Sequence, residues 1–591
     1  MHQGAVRTPP AVLRPIRRKD GHDLKKLRAK REPRMITDML NLVTSTADDF
    51  GDKDVYIYIE DKQEKHFTFN DNRESVLNFG EAICKLGLRG TNIAVIGDTH
   101  PYYLTTFYAV ISSNSTIVPL DRDLGDDALI DFMNIAGVTA LVYTSKFNNR
   151  MRNYADRIPT LRYFFPINDS TEDCSAENVI PFTEALRMGK EAREAGSTEF
   201  TDIVPDLGHT AAIMFTSGTT GTSKGVMLSH GNFVAATNSS THSMQYDDDN
   251  FFVDCLPMNH SYEITCGQLG MLAIGATKMI NDSMKNTLRN FAKYKPNALC
   301  LVPLYVETMY KRIWSEIDKK GMRKTVRRMM KISDGLLKIG IDMRDKFFGQ
   351  ITGALGGNLR SIVVGGAPMN PKIIKDFYSF GIFIIEGYGI TECSPLVSVN
   401  RPGEERYGSV GKPVMWCEVR IDKASPEDET GEIQVRGDNV MQGYYKNPEA
   451  TAEVFTDDGW FRTGDIGYID KDGYIFITGR KKNVIILSNG KNIFPEELEE
   501  HLADRSDVIG ESVVIGRQNE STGETAITAI IYPNPDFSKD KSPEEVEKAV
   551  KDAVDEVNKS LPQYKHMTSV ELRDTEFEKT TTRKIKRYLV K

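Results

Sequence analysis

Between residues 34 and 200, short apolar runs rich in β-branched residues alternate with longer stretches of helical period. Asn92–Val95 runs into Gly97, and Ser115–Pro119 and Thr139–Tyr143 repeat the pattern. Short buried-type runs separated by helical segments predict parallel strands joined by helices, an α/β layer. The rhythm continues from 210 to 400. Ile362–Val364 stops at Gly365-Gly366-Ala367-Pro368, PKIIKDFYSF reads as a helix, and Ile382–Ile385 runs to Glu386-Gly387-Tyr388-Gly389. Two strands that each end in a glycine turn place ligand contacts at the carboxyl edge of a sheet. From about 405 to 478 the texture changes to short strands and turns such as Asp458-Gly459 and Asp472-Gly473, a small β-rich subdomain. The last stretch, of α+β type, is long enough for a separate small domain. The expected organisation is a tail over 1–33, a large domain over 34–481 that includes the β-rich subdomain, and a C-terminal domain over 482–591.

The sharpest local feature is Thr216-Ser217-Gly218-Thr219-Thr220-Gly221-Thr222-Ser223-Lys224-Gly225, set between the apolar runs AAIMF and VML. Glycines let the backbone curl and turn its N–H groups inward. The hydroxyls add donors, and Lys224 supplies the positive charge that a polyphosphate needs. No GxxxxGK[ST] occurs here, so this is not a Walker A loop. A polar surface loop is the bland alternative, and the dense order of the segment between two strands argues against it. The segment resembles the phosphate-binding signature of the adenylate-forming superfamily, which includes acyl-CoA synthetases, luciferases and peptide-synthetase adenylation domains. The resemblance continues in order from about residue 36 to the end. It implies layered α/β sheets in the large domain, a β-barrel-like subdomain and a mobile C-terminal domain.

The further matches are spread along the chain. Pro257-Met258-Asn259-His260 resembles the family's Pro-x-x-His segment, which implies His260 beside the acyl carboxylate; alone, His260 reads rather as an ordinary buried histidine. Gly366, Ala367 and Pro368 resemble the adenine-side turn. Glu386-Gly387-Tyr388-Gly389-Ile390-Thr391-Glu392 resembles the family's most distinctive motif. Tyr388 offers a flat face to a purine, glycines allow close approach, Thr391 can donate to the α-phosphate, and Glu392 is a hard oxygen ligand suited to Mg²⁺. The resemblance implies that Thr216 shares that ion. Trp460-Phe461-Arg462-Thr463-Gly464-Asp465 matches the ribose motif, with Asp465 accepting from the ribose hydroxyls and Arg480 as a second contact. Lys482 takes the hinge position. Glu578-Lys579-Thr580-Thr581-Thr582-Arg583-Lys584-Ile585-Lys586-Arg587 resembles the terminal signature and gives Lys584 the catalytic position, with Arg583 where the family has glycine.

The implied chemistry has two halves. A carboxylate attacks ATP to give acyl-AMP and pyrophosphate, and then a thiol, CoA, takes the acyl group after the C-terminal domain rotates and withdraws Lys584. Residues 295–360, with KPNALCLVPLYVETMYKRIW and RKTVRRMMKISDGLLKIG, resemble the longer segment of long-chain fatty acyl-CoA synthetases. A fatty acid is therefore the expected substrate, of undefined length because each methylene adds only about 1 kcal/mol. Two alternatives stay open: transfer to an acyl carrier protein instead of CoA, and a catalytically decayed nucleotide-binding protein, for which Arg583 is the one residue in favour.

Composition narrows the setting. The 591 residues are 40% hydrophobic and 27% charged, an ordinary globular balance. The seven cysteines are dispersed without a CxxC pair, which fits reduced thiols rather than a zinc site. The start MHQGAVRTPPAVLRPIRR lacks the apolar core of a signal peptide, and no run of about 18 apolar residues occurs, so a cytoplasmic protein is expected. Net charge is −8, yet Arg7 to Arg34 holds eleven Lys or Arg against three Asp or Glu. A basic leader on an acidic body, and the interleaved basic and apolar residues near 325, are compatible with peripheral membrane contact as well as with solvated surface. A nucleic-acid role is not expected, because the body is acidic and its basic residues are not interleaved with stacking aromatics.

Overall fold

The computed structural model describes residues 32–144, 147, 154–167, 178–216, 223–244, 246–487, 492–505, 507–518, 525–580 and 584–590. They fall into two compact units. One takes in residues 32–216, 223–418 and 436–453, and the other residues 419–435 and 454–590.

The first unit holds a seven-stranded and a nine-stranded sheet, with helices joining many of their parallel strands. In the seven-stranded sheet, β1 (Thr210–Thr216) and β2 (Lys224–Ser229) are the apolar runs that bracket the glycine-rich segment. They pair antiparallel in a register that sets Thr216 opposite Lys224. Ser217, Gly218, Thr219, Thr220 and Gly221 lie outside the described residues, as do Arg583 and all of the basic tail except its last two positions.

In the nine-stranded sheet, β3 (Ser361–Val364), β4 (Phe383–Gly389) and β5 (Leu396–Val399) are consecutive neighbours. Glu386–Gly389 is not the turn that the glycines suggest, because β4 runs through it and changes partner on the way. It is parallel to β3 up to Glu386 and antiparallel to β5 beyond, with Gly387 opposite Val399 and Tyr388 opposite Ser398. The change is possible because the chain closes tightly there: a Cβ on Gly389 would stand 2.1 Å from the Pro395 carbonyl oxygen. Gly365–Pro368 does form a turn. Gly366 has φ +88°, a left-handed conformation that glycine adopts without strain, and residues 366–368 are exposed at the end of β3.

Helix α1 (Arg323–Leu337) buries Val326, Met330, Ser333 and Leu337. Lys324, Arg328 and Lys331, three and four residues apart, occupy one exposed face, which Lys338 extends. Ile332, Ile339 and Ile341 are exposed beside these cations, Ile339 at 71%. Helix α2 (Pro371–Phe380) follows β3. The Asn370 side chain accepts from the Lys372 N–H at 2.8 Å, Pro371 opens the first turn, and Gly381 at φ +93° ends the helix. Its Ile373, Ile374, Phe377 and Phe380 pack on Leu299, Leu301, Ile362 and Val364. Among the described residues no helix is long and apolar enough to cross a membrane.

The second unit contains most of a four-stranded sheet of Cys417–Asp422, Gly431–Gly437, β6 (Phe461–Ile469) and β7 (Ile475–Arg480). It also contains α3 (Pro495–Ala503) and a three-stranded sheet that includes β8 (Ile509–Gln518). Leu498 and Leu502 of α3 pack with Val514, Ile531, Val550 and Val554 in a separate core.

Candidate functional site

On the first unit, polar contacts join segments far apart in sequence. Thr391 and Glu392 follow β4 in the short turn Thr391–Cys393. The Ser261 hydroxyl lies 3.4 Å from Thr391 Oγ1 and donates to it, which ties the His260 segment to the β4 motif. The Tyr262 hydroxyl donates to the Val363 carbonyl at 3.1 Å and holds the same segment against β3. The Tyr444 hydroxyl donates to Glu392 Oε1 at 3.0 Å, and Lys224 Nζ stands 4.6 Å from the centre of the Tyr444 ring. Thr216 Oγ1 reaches the Lys224 carbonyl at 3.4 Å. Burial and the Glu392 carboxylate push the Tyr444 phenol well up, so it remains a proton donor to that carboxylate.

Thr216, Lys224, His260, Thr391 and Glu392, expected from sequence, are thus linked directly or through Ser261 and Tyr444. Glu386, Gly387 and Gly389 are partly exposed, whereas Tyr388 is 7% exposed and little of its ring is open. Sequence reasoning missed Ser261 and Tyr444 as partners. Ser261 adjoins a noted motif, but no periodicity marks Tyr444, which is brought to Glu392 by the pairing of Gly443–Tyr444 with β2.

The donor set fits magnesium. Among the described residues no three His, Cys, Asp or Glu side chains converge as a metal cage. Glu392, oriented by Tyr444, and the Thr216 hydroxyl offer two hard oxygens, and magnesium takes its remaining oxygens from water and phosphate.

Behind His260, whose carbonyl accepts from the Ile264 N–H at 3.0 Å, the chain enters a π-helix, Glu263–Leu269. Such turns concentrate at functional sites. Lys278 Nζ donates to Glu263 Oε1 and, at 2.8 Å, to the Gly267 carbonyl of this turn, and lies 3.9 Å from Asp254 Oδ1. Gln268 Nε2 donates to the same Glu263 oxygen at 2.6 Å. All three charged side chains are buried. Burial, reinforced by Asp254, pushes the Glu263 carboxyl up to about 8. Burial also weighs against the Lys278 charge, but Glu263 and Asp254 together raise its pKa, so it stays an ammonium.

On the second unit, β6 and β7 form a hairpin whose register sets Asp465 opposite Arg480. This pairing accounts for the fifteen-residue spacing of the two. Arg480 Nε meets Asp465 Oδ1 at 2.7 Å, and Asp465 is buried. Lys584 and Lys482 belong to the same electrostatic group. Crowding by protein and the Arg480 guanidinium lower the Lys584 ammonium pKa, with Asp465 opposing. Crowding, Arg480 and Arg587 bring that of Lys482 down to about 8.

A sequence model of AMP-binding enzymes matches residues 43–445, and one of the AMP-binding enzyme C-terminal domain matches residues 482–590. A peroxisomal long chain acyl-CoA synthetase of Arabidopsis thaliana is 29% identical over 464 residues, covering 74% of this chain and 64% of that protein, a little under two thirds of its length. A chloroplastic long-chain-fatty-acid–[acyl-carrier-protein] ligase of the same plant is 27% identical over 86% of this chain and 78% of its own. The fold is that of an anthranilate CoA ligase solved with anthranoyl-AMP, with a TM-score of 0.74, 18% identity, and coverage of 94% of this chain and 96% of that one.

Proposed function

Because the chain belongs to the AMP-binding enzyme family, we propose that it is an ATP-dependent acid–thiol ligase that converts a long-chain fatty acid to acyl-AMP and then to acyl-CoA. The observation that carries the reading is the linked set Thr216, Lys224, Tyr444, Glu392, Thr391 and Ser261, which gathers hydroxyls, an ammonium, a carboxylate and the His260 segment on one unit.

In the first half-reaction a carboxylate oxygen attacks the α-phosphorus, and the bond to the β-phosphate oxygen breaks with pyrophosphate leaving. Two anions must approach each other, so preorganised donors and cations lower the barrier. Magnesium held by Glu392 and Thr216 would supply charge neutralisation at the phosphates. Thr391 donates to the α-phosphate, and Thr216–Lys224 cradles the phosphates beyond it. His260 orients the acid, and Gly366–Pro368 and Glu386–Gly389 flank the adenine. Asp465 and Arg480 fix the ribose, Lys584 stabilises developing charge, and Lys482 is the hinge. No side chain need move a proton, since positioning and electrostatics suffice for such transfers. In the second half-reaction the thiol sulfur bonds to the acyl carbon, the bond from that carbon to the phosphate oxygen breaks with AMP leaving, and the thiol proton is released to solvent. The carrier-protein ligase among the relatives keeps one alternative acceptor in view.

Incubation with Mg-ATP, a graded series of fatty acids and either CoA or acyl carrier protein tests this by mass spectrometry. AMP should form with long-chain acids, and acyl-CoA should appear when CoA is supplied. Thioester on carrier protein alone would favour the other acceptor, and no AMP from any acid would leave a decayed nucleotide-binding protein.

The Lys324, Arg328, Lys331 and Lys338 stripe, with Ile332, Ile339 and Ile341 beside it, supports peripheral contact of a cytoplasmic enzyme with an anionic membrane. Co-sedimentation with anionic vesicles should fall when Lys324, Arg328 and Lys331 are changed to Glu, whereas neutral vesicles should leave both proteins in solution. Equal sedimentation of the two with anionic vesicles would refute the contact.

A further inference from the structure

The C-terminal segment carrying Lys584 folds back on itself. Lys579 bridges Ile585 antiparallel, the Thr580 N–H donates to the Lys584 carbonyl at 2.8 Å, and the Lys586 N–H donates to the Glu578 carbonyl at 2.7 Å. The Lys584 N–H also reaches Thr580 Oγ1 at 3.2 Å. These bonds pair the two flanks with each other but do not tie them to the rest of the unit.

Two carboxylates do. On the outgoing side, Arg587 places Nη1 and Nη2 at 2.5 and 2.7 Å from Glu499 Oε1, with Nη2 also donating to the Val514 carbonyl at 2.9 Å. The same Glu499 oxygen accepts from the Val514 N–H at 2.6 Å. One carboxylate on α3 thus joins the helix, β8 and the terminal segment. On the incoming side, Lys579 Nζ pairs with Glu511 of β8, whose other oxygen accepts from the Phe577 N–H at 3.0 Å. Phe577 is buried against Val513 and Ile530, and Ile585 packs on the same cluster. Lys584 therefore sits between two ion-paired posts set three and five residues away along the chain.

We propose that Glu499 and Glu511 are positioning residues for Lys584: by gripping Arg587 and Lys579 they fix where its ammonium stands, and so they serve adenylation but not thioester formation. This inference rests on the catalytic reading of Lys584. Glu499 and Glu511 touch no reacting atom. Their contribution is orientation, and misplacement by about 1 Å can cost roughly 100-fold in rate. Charge-assisted bonds from a guanidinium to a carboxylate hold geometry more firmly than neutral ones do. Glu499 titrates beside Arg587 from the terminal segment, the Val514 N–H of β8 and Glu496 on its own helix. Burial pushes its carboxyl up to about 7, so acidification through neutrality should slacken the outgoing post.

The test uses the full chain, with acid-dependent pyrophosphate release and thioester formation from supplied acyl-AMP measured separately. Glu499→Gln should slow pyrophosphate release roughly 10- to 100-fold and leave the second half-reaction within about twofold, and Glu511→Gln should act in the same direction. In a Lys584→Ala background neither change should cost more, because residues acting through one group are not additive. Wild-type pyrophosphate release should also fall between pH 8 and pH 6, a fall that Glu499→Gln flattens. Equal loss of both half-reactions, or full additivity with Lys584→Ala, overturns the positioning role. Should Lys584→Ala itself leave pyrophosphate release intact, the failure lies in the catalytic reading instead. Glu511→Gln keeps the question decidable if Glu499→Gln does not fold.

Discussion

Lys584→Ala is expected to lower pyrophosphate release roughly 100- to 1,000-fold, the usual cost of removing one preorganised donor to developing charge, while thioester formation from supplied acyl-AMP and CoA should proceed. The split follows from chemistry. Adenylation brings carboxylate and triphosphate together and needs a cation, whereas thioester formation expels AMP from an acyl carbon and asks nothing of that ammonium. Lys584 shares its surroundings with Arg480 and Asp465 on the second unit, and crowding by protein, reinforced by Arg480, lowers its pKa. A lowered ammonium loses its proton earlier as pH rises, so the first half-reaction should decline in alkali before the second does. Separate assays of the two halves check the claim, and equal loss in both would refute it.

The second large effect is on stability. Lys278→Met leaves Asp254 buried without its counter-charge, and Glu263 and the Gly267 carbonyl without their donor, at a cost on the order of 3–5 kcal/mol. The sign of its pH dependence is fixed by Glu263. Its folded carboxyl is pushed up to about 8, above the unfolded value near 4.3. Between the two, the folded chain keeps a proton that the unfolded chain has released, so stability falls as pH rises. Removing Lys278 extends that fall to higher pH, since the ammonium is what favours the ionised form. Urea unfolding at pH 5 and pH 8 should show the larger deficit at pH 8, and Glu263→Gln added to Lys278→Met should restore part of it. A variant as stable as wild type at both values would show that the ammonium is dispensable.

Legibility differed between local and distant features. The strands β1 and β2 could be read because apolar runs flank a polar glycine loop, and α2 because Asn370, Pro371 and Gly381 punctuate it. Asp465 and Arg480 could be read from a motif and a spacing, for which the β6–β7 register supplies the physical cause. The course of β4 through Gly389 could not. Glycine there marks a close approach to Pro395 rather than a bend, and the two uses look alike in sequence. Tyr444 is 52 residues from Glu392, and Lys278 lies 15 from Glu263; strand pairing and layer packing bring each pair together, with no local period to announce it. The two posts beside Lys584 are of the same kind, since Glu499 is 88 residues from Arg587.

The β6–β7 hairpin also constrains how this lineage can drift. Asp465 and Arg480 face each other only because the count of residues from each to the shared turn is fixed. Extra residues accepted at the tip, around Asp472-Gly473, leave that count within the strands intact. The pairing already absorbs one irregularity, between Ile466 and Gly467; a further residue gained or lost between there and Asp465 or Arg480 reverses which side of the sheet that residue points to, separating acid from base in one step. Length variation among descendants should therefore collect at the tip and be purged from the arms.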